Sequence, residues 1–119
     1  MVDIRHKETD KILASVESDW PCPSDRRTAE MTINLRGVDL QNARLNGASL
    51  RSAHLDRAYL WRAKLREADL TNADLTAASL DMADFQGANL QGARLREATL
   101  YFANLRAVNF RGADLSYAA

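Results

Sequence analysis

The chain has 119 residues, with as many basic as acidic side chains, so its formal net charge is zero. This length suits one domain with a single core, and the balanced charge excludes a polyelectrolyte tail for nucleic acid or membrane surfaces. One cysteine, Cys22, excludes an internal disulfide and is compatible with a reducing cytoplasm. The first eight residues contain no apolar run, and no segment has the length of a membrane span, so we predict a cytoplasmic protein without a signal peptide or a transmembrane segment.

Residues 1–30 are predicted to form an N-terminal segment with a short helix and a polar connector. Three apolar residues recur at helical spacing between residues 10 and 19, namely Ile12, Leu13 and Val16. Pro21 then ends the pattern. We interpret this helix as a cap over the start of the repeats that follow, in preference to a separate partner-binding helix.

A five-residue repeat dominates residues 31–119. From position 35 to position 115 every fifth residue is leucine or phenylalanine, at seventeen consecutive positions. We call this position the centre of the repeat. The residue two before the centre is alanine fourteen times, and otherwise Ile33, Val38 or Val108.

A period of five fits neither a helix nor a continuous strand. Five helical residues rotate the marker by roughly 140°, and an odd period moves it between the two faces of a strand. The chain must therefore bend once per repeat, with alanine and leucine inside and the other three positions outside. The residue two after the centre is often Gly, Asn or Ser and is expected at the corner. Periodicity alone leaves a triangular coil of fifteen residues and a square coil of twenty equally open.

The residue before the centre carries the second signal. It is Asn or Asp in nine of the seventeen repeats, which predicts side-chain hydrogen bonds to a nearby turn amide. The resulting motif, Ala-Asp/Asn-Leu-X-X, as in residues 68–72 and 73–77, resembles the pentapeptide-repeat protein family. That resemblance implies an all-β fold, a right-handed quadrilateral parallel β-helix of about four coils, with four repeats in each coil. Other residue types occupy this position in the remaining repeats, and no turn bond is expected from five of them: Arg44, Lys64, Arg94, His54 and Tyr59.

No motif for chemistry accompanies the repeat. His6, His54 and Cys22 show no H-x-x-x-H or C-x-x-C spacing, so we expect no metal site. The glycines fall at repeat corners and do not form a phosphate-binding loop, and the carboxylates follow the repeat as turn or solvated groups. We predict a protein that is not an enzyme and that needs no cofactor.

In a square coil, residues twenty apart would stack at ~4.8 Å and form outward columns. One column would read His54, Asp74, Arg94 and Asp114, a solvated ladder of alternating charge. Another side would collect residue types that are enriched at protein interfaces: Tyr59, Trp61, Arg62, Met82, Tyr101 and Phe102. We predict that this side is an interface, in preference to rings that merely cover neighbouring backbone.

Two functional classes compete. The first is an interaction or scaffold protein, a rigid rod that binds an unidentified protein or a second copy. The second is implied by the family resemblance, since some members imitate DNA and engage a type II topoisomerase. Such mimicry needs an acidic surface, whereas the four sides would carry about 0, −1, +2 and +1 charges. A third option is direct nucleic-acid contact through Arg44, Lys64, Arg66 and Arg106. This contact would be weak, and no aromatic rings for base stacking lie on the same side.

The C-terminal coil is predicted to mediate a homodimer. The printed sequence ends at Ala119, within what would be an eighteenth repeat, and solenoid ends normally carry a cap. An end-to-end contact would cover the open edge in two copies at once, and the alternative is a chain truncated before its natural cap. The residues expected at this contact are Phe110, Leu115 and Tyr117.

Overall fold

The computed structural model describes residues 33–119 and two N-terminal strands, β1 (Val2–Arg5) and β2 (Ile12–Val16). The two strands pair antiparallel, with Val2 opposite Val16 and an irregularity between Ile4 and Arg5.

The helix predicted for residues 10–19 is therefore wrong over Ile12–Val16. Ile-Leu-Ala-Ser-Val places apolar residues at every second position as well as at helical spacing, and its ends are β-branched, so the local pattern suits both structures. Pairing with β1, which the local pattern cannot reveal, decides for the strand. The rest of the predicted helix, its capping role, the polar connector and the boundary at residue 30 lie outside the described residues.

Residues 33–119 wind into a β-helix with twenty residues per coil. Parallel bridges join residues twenty apart along the whole stretch, from Asn34 with His54 to Arg94 with Asp114. The bridging residue is always the one before the centre. This register confirms the square coil of four repeats and rules out the fifteen-residue alternative.

The coil has four sides, which we number in chain order. The first side holds the centres at positions 35, 55, 75, 95 and 115, and the second side those at 40, 60, 80 and 100. The third side holds the centres at 45, 65, 85 and 105, and the fourth side those at 50, 70, 90 and 110.

The core consists of the centres and the small residues two before them, as the repeat predicts. The centres from Leu35 to Leu95 are buried, and so are the alanines from Ala48 to Ala98. Towards the C-terminal end Leu100, Leu105 and Phe110 are only partly buried. The interior is thus a stack of Leu and Ala layers that is closed in the middle and more open at the last coil.

The residue two after the centre forms the corner in every repeat. All seventeen such residues have φ between 56° and 73°, although only five are glycine. Within each corner, the N–H of the residue three after the centre donates to the carbonyl of the centre. Val38 N, for example, donates to Leu35 O at 3.1 Å. Positive φ at the third residue of such a turn is the type II arrangement. Twelve non-glycine residues adopt it because the stacked coils impose it, although it costs roughly 1–2 kcal/mol per residue.

In coils that have a neighbour on both sides, backbone bonds use every N–H of a repeat but one. In the repeat centred on Leu75, Asp74 N bonds to the preceding coil, while Leu75 N and Ala77 N bond to the next coil. The amide left over belongs to the residue after the centre. Where Asn or Asp stands before the centre, its Oδ1 accepts that bond at 3.0–3.2 Å, which confirms the predicted turn bonds: Asn34, Asp39, Asp69, Asp74, Asp84, Asn89, Asn104, Asn109 and Asp114.

A different acceptor replaces the turn bond in two repeats that lack Asn or Asp before the centre. In the repeat centred on Leu65, where Lys64 stands before the centre, Arg66 N donates to Asn46 Oδ1 of the preceding coil at 2.9 Å. In the same way Tyr101 N donates to Asp81 Oδ1 at 2.9 Å.

The described residues include no helix that could span a membrane.

Candidate functional site

The six predicted interface residues lie together on the second side. Trp61 and Tyr101 follow their centres, with Asp81 between them in the stack. Arg62, Met82 and Phe102 occupy three successive corners. The register is fixed by bonds between the coils, Arg62 N to Asp81 O at 3.0 Å and Met82 N to Tyr101 O at 2.8 Å. The coil therefore brings residues from three repeats, whose centres are at positions 60, 80 and 100, onto one surface.

The rings of this side differ in how much of them the protein covers. The Arg62 guanidinium lies 5.2 Å from the centre of the Trp61 ring, a cation–π contact, and Trp61 is 37% exposed. Phe102 is 91% exposed, and Tyr59, Met82 and Tyr101 are also exposed. A structural role, in which a ring covers neighbouring groups of the coil, can explain the presence of Trp61 in part. It cannot explain Phe102, because this side chain covers almost nothing.

The three residues predicted at the C-terminal contact do not join this surface. Leu115 and Tyr117 lie on the first side and are 41% and 81% exposed, while Phe110 lies on the fourth side and is partly buried. The Arg96 guanidinium lies 6.0 Å from the centre of the Tyr117 ring. All three belong to the last repeats of the chain, but only Leu115 and Tyr117 share a side.

The third side carries a polar cluster around Asp84. This carboxylate accepts hydrogen bonds from Arg66 Nε at 2.5 Å, Gln86 N at 3.2 Å and Asn104 Nδ2 at 3.0 Å. These donors lie on three successive coils. Burial by itself would raise the pKa of Asp84, but the bonds from Arg66, Gln86 and Asn104, with the charge of Arg66, outweigh it and hold the pKa below its ordinary value.

We expect this cluster to make stability depend on pH. A carboxylate whose pKa is lower in the folded than in the unfolded state stabilises the fold above its unfolded pKa, and this contribution is lost as pH falls through the folded pKa. Asp84→Asn should therefore cost up to about 1 kcal/mol of unfolding free energy near pH 7, the upper range for a solvent-accessible ion pair, and less near pH 3. Urea denaturation of both proteins at the two pH values measures the difference.

The control for that experiment is Asp39→Asn. Asparagine keeps the turn bond in both variants, as Asn89 and Asn104 do in the native chain. Asp39→Asn thus reports the effect of removing one carboxylate without an Arg66 partner. A pH-independent loss in Asp84→Asn would contradict the role of its charge.

Metal-ligand side chains meet on the first side at His54, Asp56 and Asp74. Spacing motifs along the chain do not reveal this group, because two of its members are twenty residues apart and become neighbours only through the coil.

Comparison with known proteins agrees with this architecture. The family model described as pentapeptide repeats matches residues 33–72, 53–92 and 78–116, with eight copies. A pentapeptide repeat protein from the Arabidopsis thaliana thylakoid lumen is 31% identical, with a TM-score of 0.62 over 71% of this chain and 63% of that chain. One from Nostoc Pcc 7120 is 36% identical, with a TM-score of 0.53 over 69% of this chain and 64% of that chain.

The chain thus spans less than two thirds of the length of either solved protein. No curated protein matches it. The similarity to these solved pentapeptide repeat proteins indicates that the coil is a right-handed β-helix. With the family model matched over most of the chain, the chain belongs to the pentapeptide repeat family.

Proposed function

We propose that the chain is a non-enzymatic protein-interaction or scaffold module, a rigid rod of about four coils that binds a protein partner through its second side. The observation that carries this proposal is the set of exposed aromatic and methionine side chains stacked on that side, with Phe102 almost fully exposed. Aromatic, methionine and arginine residues are enriched at protein interfaces, and Trp, Tyr and Arg are the types that most often dominate the binding energy.

The coil itself does not need these large side chains. The corresponding corners of the fourth side are Ser52, Asn72, Gly92 and Gly112, all with positive φ. Phe102 adopts the same unfavourable positive φ at the corner of the second side, and its ring remains exposed to water. Such a residue contributes little to the fold, and its burial against a partner would recover the hydrophobic free energy of the ring.

The DNA-mimic alternative, engagement of a type II topoisomerase, has less support. Mimicry of a phosphate backbone needs a run of acidic side chains, and the second side has only Asp39 and Asp81, with Arg62 between them in the stack. Direct nucleic-acid binding through the third side is weakened because Arg66 is already bound to Asp84 at 2.5 Å.

We also propose that two copies associate through the C-terminal coil. The support is the exposure of Leu115 and Tyr117, since Leu115 is half open while Leu55, Leu75 and Leu95 of the same column are buried. A two-fold contact would cover both patches. Cytoplasmic location and the division of the chain at residue 30 stay predictions.

The binding proposal predicts the behaviour of a triple variant, Trp61→Gln, Met82→Asn and Phe102→Asn. Gln41, Gln86 and Gln91 already follow centres elsewhere, and Asn42 and Asn72 already form corners, so the variant should keep its circular dichroism and melting temperature. Binding of a partner protein, measured by quantitative cross-linking, should weaken at least about tenfold, because Trp is a hot-spot type and Phe and Met are enriched at interfaces. Self-association, measured by sedimentation, should not change.

A fourth-side double variant, Ser52→Asn and Arg111→Gln, is the matched control and should bind like the wild type. Unfolding of the triple variant would make the rings structural, and unchanged partner binding would remove the second side as the binding surface. In the same sedimentation series Leu115→Asp should give monomers if the copies meet end to end. A wild-type chain that stays monomeric at high concentration contradicts the dimer.

A further inference from the structure

We propose that His54, Asp56 and Asp74 form a binding site for one divalent transition-metal ion, with the chemistry of Zn²⁺, on the first side of the coil. One ligand atom from each residue, an imidazole nitrogen and two carboxylate oxygens, lies within 4.8 Å of the other two. These are the donor types that Zn²⁺ uses in proteins.

The backbone fixes the positions of all three residues. His54 and Asp74 stand before the centres of two successive coils and form a parallel bridge, and Leu55 N donates to Asp74 O at 2.7 Å. Asp56 follows the buried centre Leu55, so it faces outward on the same side as His54. The ligand group is thus held by the register of the coil, and little chain entropy is lost when a metal binds.

The two carboxylates are oriented by bonds that use only one of their oxygens. Arg36 Nε lies 2.6 Å from Asp56 Oδ2, and Asp74 Oδ1 accepts Thr76 N at 3.0 Å and Thr76 Oγ1 at 2.6 Å. Bonds of this kind fix the direction of a metal-binding carboxylate and leave its second oxygen for the ion.

The donor set favours a borderline ion over a hard one. Mg²⁺ and Ca²⁺ prefer sites built from oxygen alone, whereas an imidazole nitrogen suits Zn²⁺. At a Zn–ligand distance of about 2.1 Å, tetrahedral ligand atoms stand about 3.4 Å apart. The three ligand atoms would approach one another to that spacing when the ion binds. His54 is exposed, so the fourth position would be open to water or to a donor from another molecule.

Such an ion would join two successive coils, because it binds residues of both. Ligands that bind only the folded state raise its stability by mass action. Zinc should therefore raise the melting temperature of the wild-type chain, and isothermal titration calorimetry should record one ion per chain. Magnesium chloride at the same concentration should have a much smaller effect.

The decisive variant is His54→Asn. Asparagine is the residue that this position holds in four other repeats, Asn34, Asn89, Asn104 and Asn109, where it accepts the turn bond. The variant should fold at least as well as the wild type and bind zinc at least about tenfold more weakly, because one ligand is lost. Asp74→Asn, which keeps an acceptor for Thr76, should behave in the same way.

Asp69→Asn is the matched control, since Asp69 stands at the same repeat position on the fourth side and accepts the same bond from Thr71. It should keep the wild-type response to zinc. The proposal is overturned if the wild type shows no response at a zinc concentration about tenfold above that of the protein. It is also overturned if His54→Asn titrates like the wild type, because the ion would then be held by other residues.

Discussion

Leu75→Ala should lower the free energy of unfolding by about 2–5 kcal/mol, the cost of a large buried side chain replaced by alanine. Leu75 is 0% exposed and lies in the column between Leu55 and Leu95. The coils above and below are tied together by backbone bonds, with Leu55 N to Asp74 O at 2.7 Å and Leu75 N to Arg94 O at 2.6 Å. These bonds fix the positions of the neighbouring coils. The side chains around the missing leucine therefore cannot move far enough to fill the cavity.

Leu115→Ala is the matched comparison, since Leu115 belongs to the same column but is 41% exposed. Its loss should stay below about 1 kcal/mol, because less area leaves the water when it folds. Urea denaturation followed by circular dichroism measures both variants under the same conditions. Equal losses would contradict a closed column of leucines that opens only at the last coil.

Ala78→Leu should destabilise the chain by about 1–3 kcal/mol, as overpacking of a tight core usually does. Ala78 is 1% exposed, and both of its backbone polar groups are bound, since its N–H donates to Leu75 O at 3.0 Å and its carbonyl accepts from Thr99 N at 3.1 Å. The backbone is therefore pinned to the turn below and to the coil above. A leucine side chain at this position could be accommodated only by a shift of one of these coils.

Gln86→Leu provides the control for the same added side chain on the outside. Gln86 is exposed, and the bond that it makes to Asp84 comes from its backbone N–H, which the substitution keeps. A surface change of this kind usually stays within about 0.5 kcal/mol. Thermal denaturation of the two variants compares inward and outward positions directly. Equal shifts would show that position 78 does not point into the core.

The repeat pattern predicted the parts of this fold that depend on one repeat at a time. A leucine at every fifth position and an alanine two before it are buried because each pentapeptide must place its apolar pair on the inside. The corner follows from the odd period, and positive φ occurs there even at Arg57, Met82 and Phe102. The Asn and Asp turn bonds are equally local, since donor and acceptor are two residues apart.

The N-terminal segment shows the limit of such local patterns. Five residues, Ile12–Val16, fit a helix and a strand equally well, and β1 decides because it offers backbone partners outside the five-residue segment itself. Propensity is a weak guide wherever a tertiary partner supplies the hydrogen bonds.

The sequence by itself determined which residues of each pentapeptide lie inside, outside and at the corner, because burial and turn geometry are settled within a few residues. Only the tertiary structure decided which pentapeptides are neighbours, because that depends on how many repeats fill one coil. Bridges between residues twenty apart settle that number. They place Phe102 above Met82 on the second side and Asp74 beside His54 on the first. A coil of fifteen would have built different surfaces from the same repeats, so both candidate sites are consequences of the inter-coil register.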